Sequence, residues 1–347
     1  MSAKNQKDKP MSYEDMLLES MIAPDNNKAE DENDAGTPTH RPLDFNTFIG
    51  QQHIKGTLNL LIQSAKNRDM PLSHILFYGP AGLGKTTLAG IISKQMGGKL
   101  QIINAGAIQS TMDLLNALAD IDFGDIMFID EIHRLPIQCQ EILYEAMEDF
   151  VVTVPGSKTS APIRANIPEF TLIGATTLMG DISKPMLDRF VVKLELQPYS
   201  IEELAEMTIT KGIAMGIDID PDASIEIAQR CRGTARFVTN YLRISRDIGS
   251  GIGLCEINKK VTDTVFKMLQ VDKLGLESKD YRYLEALSQD SPMGLKAISL
   301  NLNESDTTVE KLIEPYLQKL GLIERKPRGR VLTDRGMKYR ANKHNNF

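Results

Sequence analysis

The 347-residue chain has no tryptophan and only three cysteines, Cys139, Cys231 and Cys255. Three is an odd number for a disulfide framework, no two cysteines form a CxxC pair, and the five histidines are scattered. Neither a zinc site nor a disulfide scaffold is expected, and reduced cysteines in a cytoplasmic protein are. The chain also lacks an apolar run of roughly eighteen residues, so no membrane span is expected. Its first residues lack the apolar core of a secretory signal, so no signal peptide is expected either. Net positive charge is missing too: the formal charge is −6, which argues against bulk attraction to nucleic acid.

Apolar material for a core is ample, with 41% hydrophobic and 25% charged residues. At roughly 100–200 residues per domain, the length suggests two or three domains. Charge is unevenly spread. Residues 1–40 hold nine acids and four lysines, whereas residues 321–347 hold eight Lys or Arg and two acids. Any nucleic-acid contact through charge is therefore expected at the C-terminal end.

Residues 1–40 are polar and poor in aromatics, and read as a disordered acidic extension. Within it Ser12 and Asp15 have capping-box spacing ahead of Met16, Leu17, Leu18, Met21 and Ile22. Two readings stand for this stretch: a docking helix, or a transient one with no partner. From 41 to 197 apolar strands alternate with helices. His74–Tyr78, Leu100–Ile103, Ile126–Ile129, Phe170–Ala175 and Phe190–Leu194 read as strands, and a helix opens at Lys85. Such alternation implies an α/β unit, a parallel sheet flanked by helices on both sides. Residues 198–270 read as all-α, with helices over Ile201–Met215, Asp222–Arg232 and Arg236–Ile248. Residues 271–347 form a third unit. Helices over Asp280–Ser288, Leu295–Leu300 and Thr307–Leu320 precede strands Gly321–Arg325 and Arg330–Thr333, which is the pattern of a winged helix.

Gly79-Pro80-Ala81-Gly82-Leu83-Gly84-Lys85-Thr86 fits GxxxxGK[ST] after an apolar strand and at a helix start. Gly82 and Gly84 let backbone N–H groups close around phosphate oxygens, and the helix N-terminus adds favourable partial charge. Lys85 is expected to reach the β- and γ-phosphates, and Thr86, followed by Thr87, to ligate Mg²⁺. Ile126-Met127-Phe128-Ile129-Asp130-Glu131 is an apolar strand ending in two acids. In such a Walker B pattern Asp130 belongs to the Mg²⁺ shell and Glu131 polarises the attacking water. Together the motifs mark a P-loop ATPase that takes ATP, releases ADP and uses Mg²⁺.

The segment Asp130-Glu131-Ile132-His133-Arg134-Leu135 closely resembles the DEIHRL stretch of the RuvB family, AAA+ motors of Holliday-junction branch migration. Gly174-Ala175-Thr176-Thr177 resembles that family's sensor 1, with Thr177 as the polar contact. Pro185-Met186-Leu187-Asp188-Arg189-Phe190 resembles the arginine-finger segment, with Arg189 the finger. Arg232-Gly233-Thr234-Ala235-Arg236 resembles sensor 2, with Arg236 facing phosphate. Glu314-Pro315-Tyr316-Leu317 and Pro327-Arg328-Gly329-Arg330 match the family's winged helix. The resemblance runs from about Arg41 to Arg335. It departs at Leu187, where the family usually has Arg, and at Ala235 and Ala81, where it usually has Pro; none of these removes a catalytic group.

By motif position alone, Arg41, Glu148-Asp149-Phe150 and Tyr199 match residues lining the family's nucleotide pocket. For Tyr199 a plain hinge contact stands beside that reading. The resemblance implies a homo-hexamer around the arms of a four-way DNA junction, with RuvA and the RuvC resolvase as partners. Val151–Val154 and Ile163–Ile167 flank a Pro155-Gly156 turn and read as a β-hairpin. It is either the family's RuvA-docking hairpin or a surface connection. Arg325, Lys326, Arg328 and Arg330 surround the wing, either gripping phosphates without sequence preference or forming a solvated basic face. Two other functions compete: a clamp-loader subunit, which would carry a Ser-Arg-Cys finger and a helical collar, and a non-enzymatic winged-helix regulator.

Overall fold

The computed structural model describes residues 41–154 and 163–343. The extension 1–40, with the helix expected inside it, and the tip of the hairpin lie outside the described residues. Helix α1 spans Gln52–Arg68, strand β1 Ile75–Tyr78, α2 Lys85–Met96, β2 Leu100–Asn104, α3 Thr111–Ala119, β3 Ile126–Asp130 and α4 Ile137–Glu148. The hairpin strands β4 Val151–Val154 and β5 Ile163–Asn166 follow, then β6 Thr171–Thr176, α5 Lys184–Arg189 and β7 Val192–Glu195.

Five strands form a parallel sheet in the order β2-β3-β6-β1-β7. The central strands β1, β3 and β6 are buried along nearly their whole length, while β2 and β7 at the edges alternate between half-buried and exposed. This follows from crossover helices covering both faces of the middle strands. Alternate side chains feed two separate cores. Ile75, Phe77, Ile126, Phe128 and Ile173 pack on one face with α1 and α2. Leu76, Met127, Ile129 and Leu172 pack on the other with α3 and α4. The first core continues into the lid through Leu204, Tyr241 and Val261.

The lid comprises α6 Ile201–Ala214, α7 Pro221–Arg230, α8 Ala235–Gly251 and α9 Lys259–Leu269. A capping box of Ser200 and Glu203 starts α6 sharply after the hinge. Two-residue strands β8 Asp218–Ile219 and β9 Glu256–Ile257 pair within this otherwise helical unit. Helix α7 stops short of the expected Arg232 because Arg232 and Gly233 both adopt left-handed backbone, at φ 53 and 80.

A third core, around Leu276, Tyr283, Ile298, Val309 and Leu317, belongs to the winged helix. Helices α10 Ser278–Ala286 and α11 Leu295–Leu302 lead into a composite helix: Asp306–Thr308, a π turn Val309–Ile313, then Glu314–Lys319. One regular helix was the expectation. Pro315 has no N–H to give to the carbonyl four residues back, and the preceding turn widens. The wing pairs β10 Ile323–Lys326 with β11 Gly329–Leu332 around Pro327 and Arg328. Its first strand begins two residues later than expected because Gly321, at φ 66, ends the helix. Among the described residues no helix is long and apolar enough to cross a membrane.

Candidate functional site

The P-loop joins β1 to α2, and its backbone conformation demands glycine. Gly82 and Gly84 sit at φ 79 and 97, and a Cβ on Gly82 would stand 2.9 Å from the Cβ of Arg236. Lys85 Nζ donates to the carbonyls of Gly79 at 2.8 Å and Pro80 at 3.0 Å. Burial pushes the Lys85 ammonium down, against the attraction of Asp130 and Glu131. The same burial pushes the Asp130 carboxyl up; the Glu131 N–H, which donates to Asp130 Oδ1 at 3.0 Å, and the Lys85 charge oppose it. Each charged form is costly alone and is favoured by its neighbour.

Strand β3 ends at Asp130, and Glu131 turns away in left-handed backbone at φ 51. The Thr177 hydroxyl, just past β6, donates to Glu131 Oε2 at 3.1 Å. His133 Nδ1 stands 3.3 Å from the same oxygen and 2.9 Å from the buried Thr176 hydroxyl. His133 is thus part of the constellation; its only sequence signal was its place in the Asp-Glu-Ile-His string. Arg236 arrives from the lid, close enough for its charge to act on both Lys85 and Asp130. Lys85, Asp130, Glu131, Thr177 and Arg236 thus meet at the carboxyl ends of β1, β3 and β6, where open parallel sheets place ligands.

Beside the P-loop lies a cavity of about 360 Å³, whose lining includes Arg41, Phe48, Gly84, Thr87, Tyr199 and Lys211. That volume suits a small ligand. Tyr199 both lines this cavity and contacts the hinge. Its hydroxyl donates to the Leu83 carbonyl at 2.7 Å, and its N–H to the hinge carbonyl of Gly233 at 3.0 Å. Phe48 and Lys211 had no sequence signal, because they reach the cavity only when the lid folds over the segment before α1. Burial lowers the affinity of the Lys211 ammonium for its proton, and the nearby Arg243 and Arg41 charges lower it further.

Ala235 occupies a position where the family pattern has proline. Its N–H donates to the Gly82 carbonyl at 3.0 Å, tying the lid to the P-loop with a bond proline cannot make. Ala235 is the first residue of α8, and Thr234 before it is extended, so proline fits sterically. Ala235→Pro is expected to keep the fold and lose about 1 kcal/mol of tethering, raising the KM for ATP roughly fivefold. Steady-state kinetics at varied ATP measure this, and an unchanged KM would show that the bond is idle.

Glu148, Asp149 and Phe150 do not line this cavity. They end α4 on the opposite face of the sheet, where Phe150 packs against the second core. Glu148 Oε2 instead accepts from Arg189 Nη2 at 3.2 Å. Arg189 also donates to the Pro185 carbonyl at 2.8 Å and lies over the Tyr144 ring at 4.4 Å. None of these partners belongs to the P-loop, and Arg189 Nε has no hydrogen-bond partner among the described residues.

Two of the wing arginines share a buried partner. The Glu314 side chain is 0% exposed and accepts from Arg330 Nε at 2.9 Å, Arg325 Nε at 2.8 Å and the Tyr283 hydroxyl at 2.9 Å. Arg330 is 14% exposed. Arg325 and Arg330 thus share a buried carboxylate, Arg325 remaining 40% exposed, and Arg328 lies at the exposed tip of the wing.

Among the described residues no three His, Cys, Asp or Glu gather to hold a metal unaided. Mg²⁺ does not need that: it keeps waters and substrate phosphates and takes one or two protein oxygens. The hydroxyl of Thr86, at the start of α2, and the carboxylate of Asp130 are hard donors that fit it.

A family model for the RuvB Holliday junction DNA helicase P-loop domain matches residues 40–196. Models for the RuvB AAA lid and the RuvB C-terminal winged helix match residues 199–272 and 273–340. The Holliday junction branch migration complex subunit RuvB of Rickettsia africae is 42% identical over 307 residues, 87% of this chain and 90% of that protein. Its counterpart in Orientia tsutsugamushi is 41% identical over 304 residues, 86% of this chain and 94% of that protein. The Thermotoga maritima RuvB branch migration motor superposes with a TM-score of 0.77 at 34% identity, covering 86% of this chain and 97% of that structure.

Proposed function

The chain belongs to the RuvB family, and on that premise we propose that it is an ATP-driven DNA motor that moves Holliday junctions during recombination and repair. One observation carries the reading: phosphate-binding, water-directing and lid groups from separate stretches of chain converge at one end of the sheet. A winged helix stands where a clamp loader would carry a collar, which favours the motor.

The chemistry is attack of water on the γ-phosphate, driven by positioning and charge. Lys85 and the P-loop N–H groups hold the β- and γ-phosphates. Glu131, oriented by Thr177 at 3.1 Å, directs the water. Mg²⁺, held by Thr86 and Asp130, would neutralise charge between the phosphates. Arg236 reports nucleotide state to the lid. Arg41, Thr87 and Tyr199 receive the nucleoside in the adjoining cavity. Arg189, together with Glu148, Asp149 and Phe150, serves the nucleotide of the neighbouring subunit in a homo-hexamer. ADP release then lets the lid swing back, and DNA held by the winged helix moves with it. The site of action is the cytoplasm, where the junction lies, and the RuvC resolvase acts on the junctions it delivers.

RuvA docks on the β4–β5 hairpin. These strands pair antiparallel from Val151 with Asn166 to Val154 with Ile163, and Ile163 is 65% exposed. Ile163→Glu is expected to weaken RuvA binding roughly tenfold, as loss of an interface anchor does, and to leave basal ATPase intact. Titration of RuvA decides it, and equal affinity would remove the hairpin from the partner surface.

The reading as a whole is tested with a synthetic four-way junction, RuvA and ATP. Junction movement that stops with a non-hydrolysable ATP analogue is expected. A chain that hydrolyses ATP under DNA stimulation yet moves no junction would overturn it.

A further inference from the structure

Residues 231–236, the connection from α7 to α8 with the first two residues of α8, touch two parts of the molecule at once. On one side the segment is bound to the nucleotide site: Ala235 N–H donates to Gly82, and Gly233 accepts from Tyr199, each at 3.0 Å. On the other side Arg232 points away from that site and into the winged-helix unit. Its Nε donates to the Gly275 carbonyl at 2.8 Å and its Nη2 to Asp280 Oδ2 at 2.7 Å. Glu277 Oε1 lies 3.4 Å from the same Nη2, and the guanidinium stands 5.1 Å from the centre of the Tyr316 ring.

These contacts are built rather than incidental. The Arg232 side chain is 14% exposed and that of Asp280 3%. Asp280 also accepts from the Glu277 N–H at 2.8 Å, so it is fixed before Arg232 reaches it. Tyr316 is fixed as well, its hydroxyl donating to the Leu274 carbonyl at 2.7 Å. Tyr316 lies two residues from Glu314, the carboxylate that anchors both wing arginines. The left-handed backbone at Arg232, φ 53, is unfavourable for a non-glycine residue and persists where surroundings over-determine it. A planar guanidinium bound along two directions and packed by an aromatic ring transmits orientation as well as distance. A lysine, with a single point of charge, does not.

We propose that Arg232 is the positioning residue through which the nucleotide-bound segment 231–236 sets the orientation of the winged helix, coupling nucleotide state to DNA grip. The proposal rests on the reading of the chain as a DNA motor. Arg236 reads the phosphates and Arg232, four residues earlier, delivers the result. The lid and the winged helix then move together when the lid rotates.

The test uses the full chain and a short DNA duplex. Duplex affinity is measured with ADP and with a non-hydrolysable ATP analogue, for the unsubstituted chain, Arg232→Lys, Asp280→Asn and the double variant. Coupling between sites is typically about fivefold or more, so the unsubstituted chain is expected to show at least that ratio. Arg232→Lys and Asp280→Asn are each expected to bring it below about twofold, with basal ATPase close to that of the unsubstituted chain. Both remove the same contact, so the double variant is expected to be no worse than either single one. A ratio near one in the unsubstituted chain, or the full ratio retained in Arg232→Lys, overturns the proposal. So does a loss of duplex affinity by the same factor in both nucleotide states, which marks a merely structural residue. Should Arg232→Lys fold poorly, Tyr316→Leu takes its place: it removes the packed ring and leaves the ion pair, and an unreduced ratio there overturns the proposal. Junction movement by the unsubstituted chain is scored separately. Its absence counts against the motor reading, whereas an unchanged ratio in the variants counts against Arg232 alone.

Discussion

Arg189→Ala is expected to bind ATP nearly as well as the unsubstituted chain and to hydrolyse it ~10³–10⁵-fold more slowly, the usual worth of an arginine that neutralises charge on a transferring phosphoryl group. The geometry behind this is the separation of Arg189 from its own P-loop. Its partners are Glu148, the Pro185 carbonyl and the Tyr144 ring. Of these, Tyr144 packs against the core on the sheet face opposite Phe48 and Tyr199, which line the cavity beside the P-loop. Lys85→Ala is expected to fail in the complementary way, with a weakened nucleotide site and an intact finger. Mixing the two variants should seat some intact P-loops beside intact fingers and restore part of the ATPase activity. If mixed rings form and no activity returns, Arg189 does not act in the neighbouring site.

The second large effect is on stability. Arg330→Ala is expected to destabilise the winged helix by about 3 kcal/mol, the low end for breaking a buried ion pair by removing one partner. The cost arises because the Glu314 side chain, 0% exposed, loses one of its two guanidinium partners. The figure stays at the low end because Arg325 Nη2 still lies within bonding distance of Glu314. Arg328→Ala makes the contrast. It should leave the urea midpoint unchanged while lowering the slope of log affinity against log salt by roughly 0.9, one phosphate contact on duplex DNA. Urea unfolding and duplex titration at several salt concentrations measure both. An unchanged urea midpoint for Arg330→Ala would show that Arg325 suffices for Glu314, and an unchanged salt slope for Arg328→Ala would mean that the tip does not touch phosphate.

The nucleotide chemistry was legible in the sequence because it is local. A P-loop needs its glycines, lysine and hydroxyl in consecutive positions, since one turn of backbone does the cradling. Asp130 and Glu131 were readable because an apolar strand precedes them and the end of a parallel sheet is where ligands are placed. Strand and helix types followed from hydrophobic period for the same reason: both are set by neighbours a few residues away. What the tertiary structure decided were pairings across long stretches of chain. Arg330 looks like a free cation beside a turn until a carboxylate 16 residues earlier is buried beneath it. Arg232 reads as part of a phosphate-sensing string, yet its partner Asp280 is 48 residues away in another core. Glu148 matches a nucleotide-lining motif by position, but the face of the sheet on which α4 packs gives it Arg189 as a partner 41 residues on. In each case the type of side chain was plain in the sequence, and which opposite charge would share its burial was not, because burial is a property of the packed layers and not of the local string.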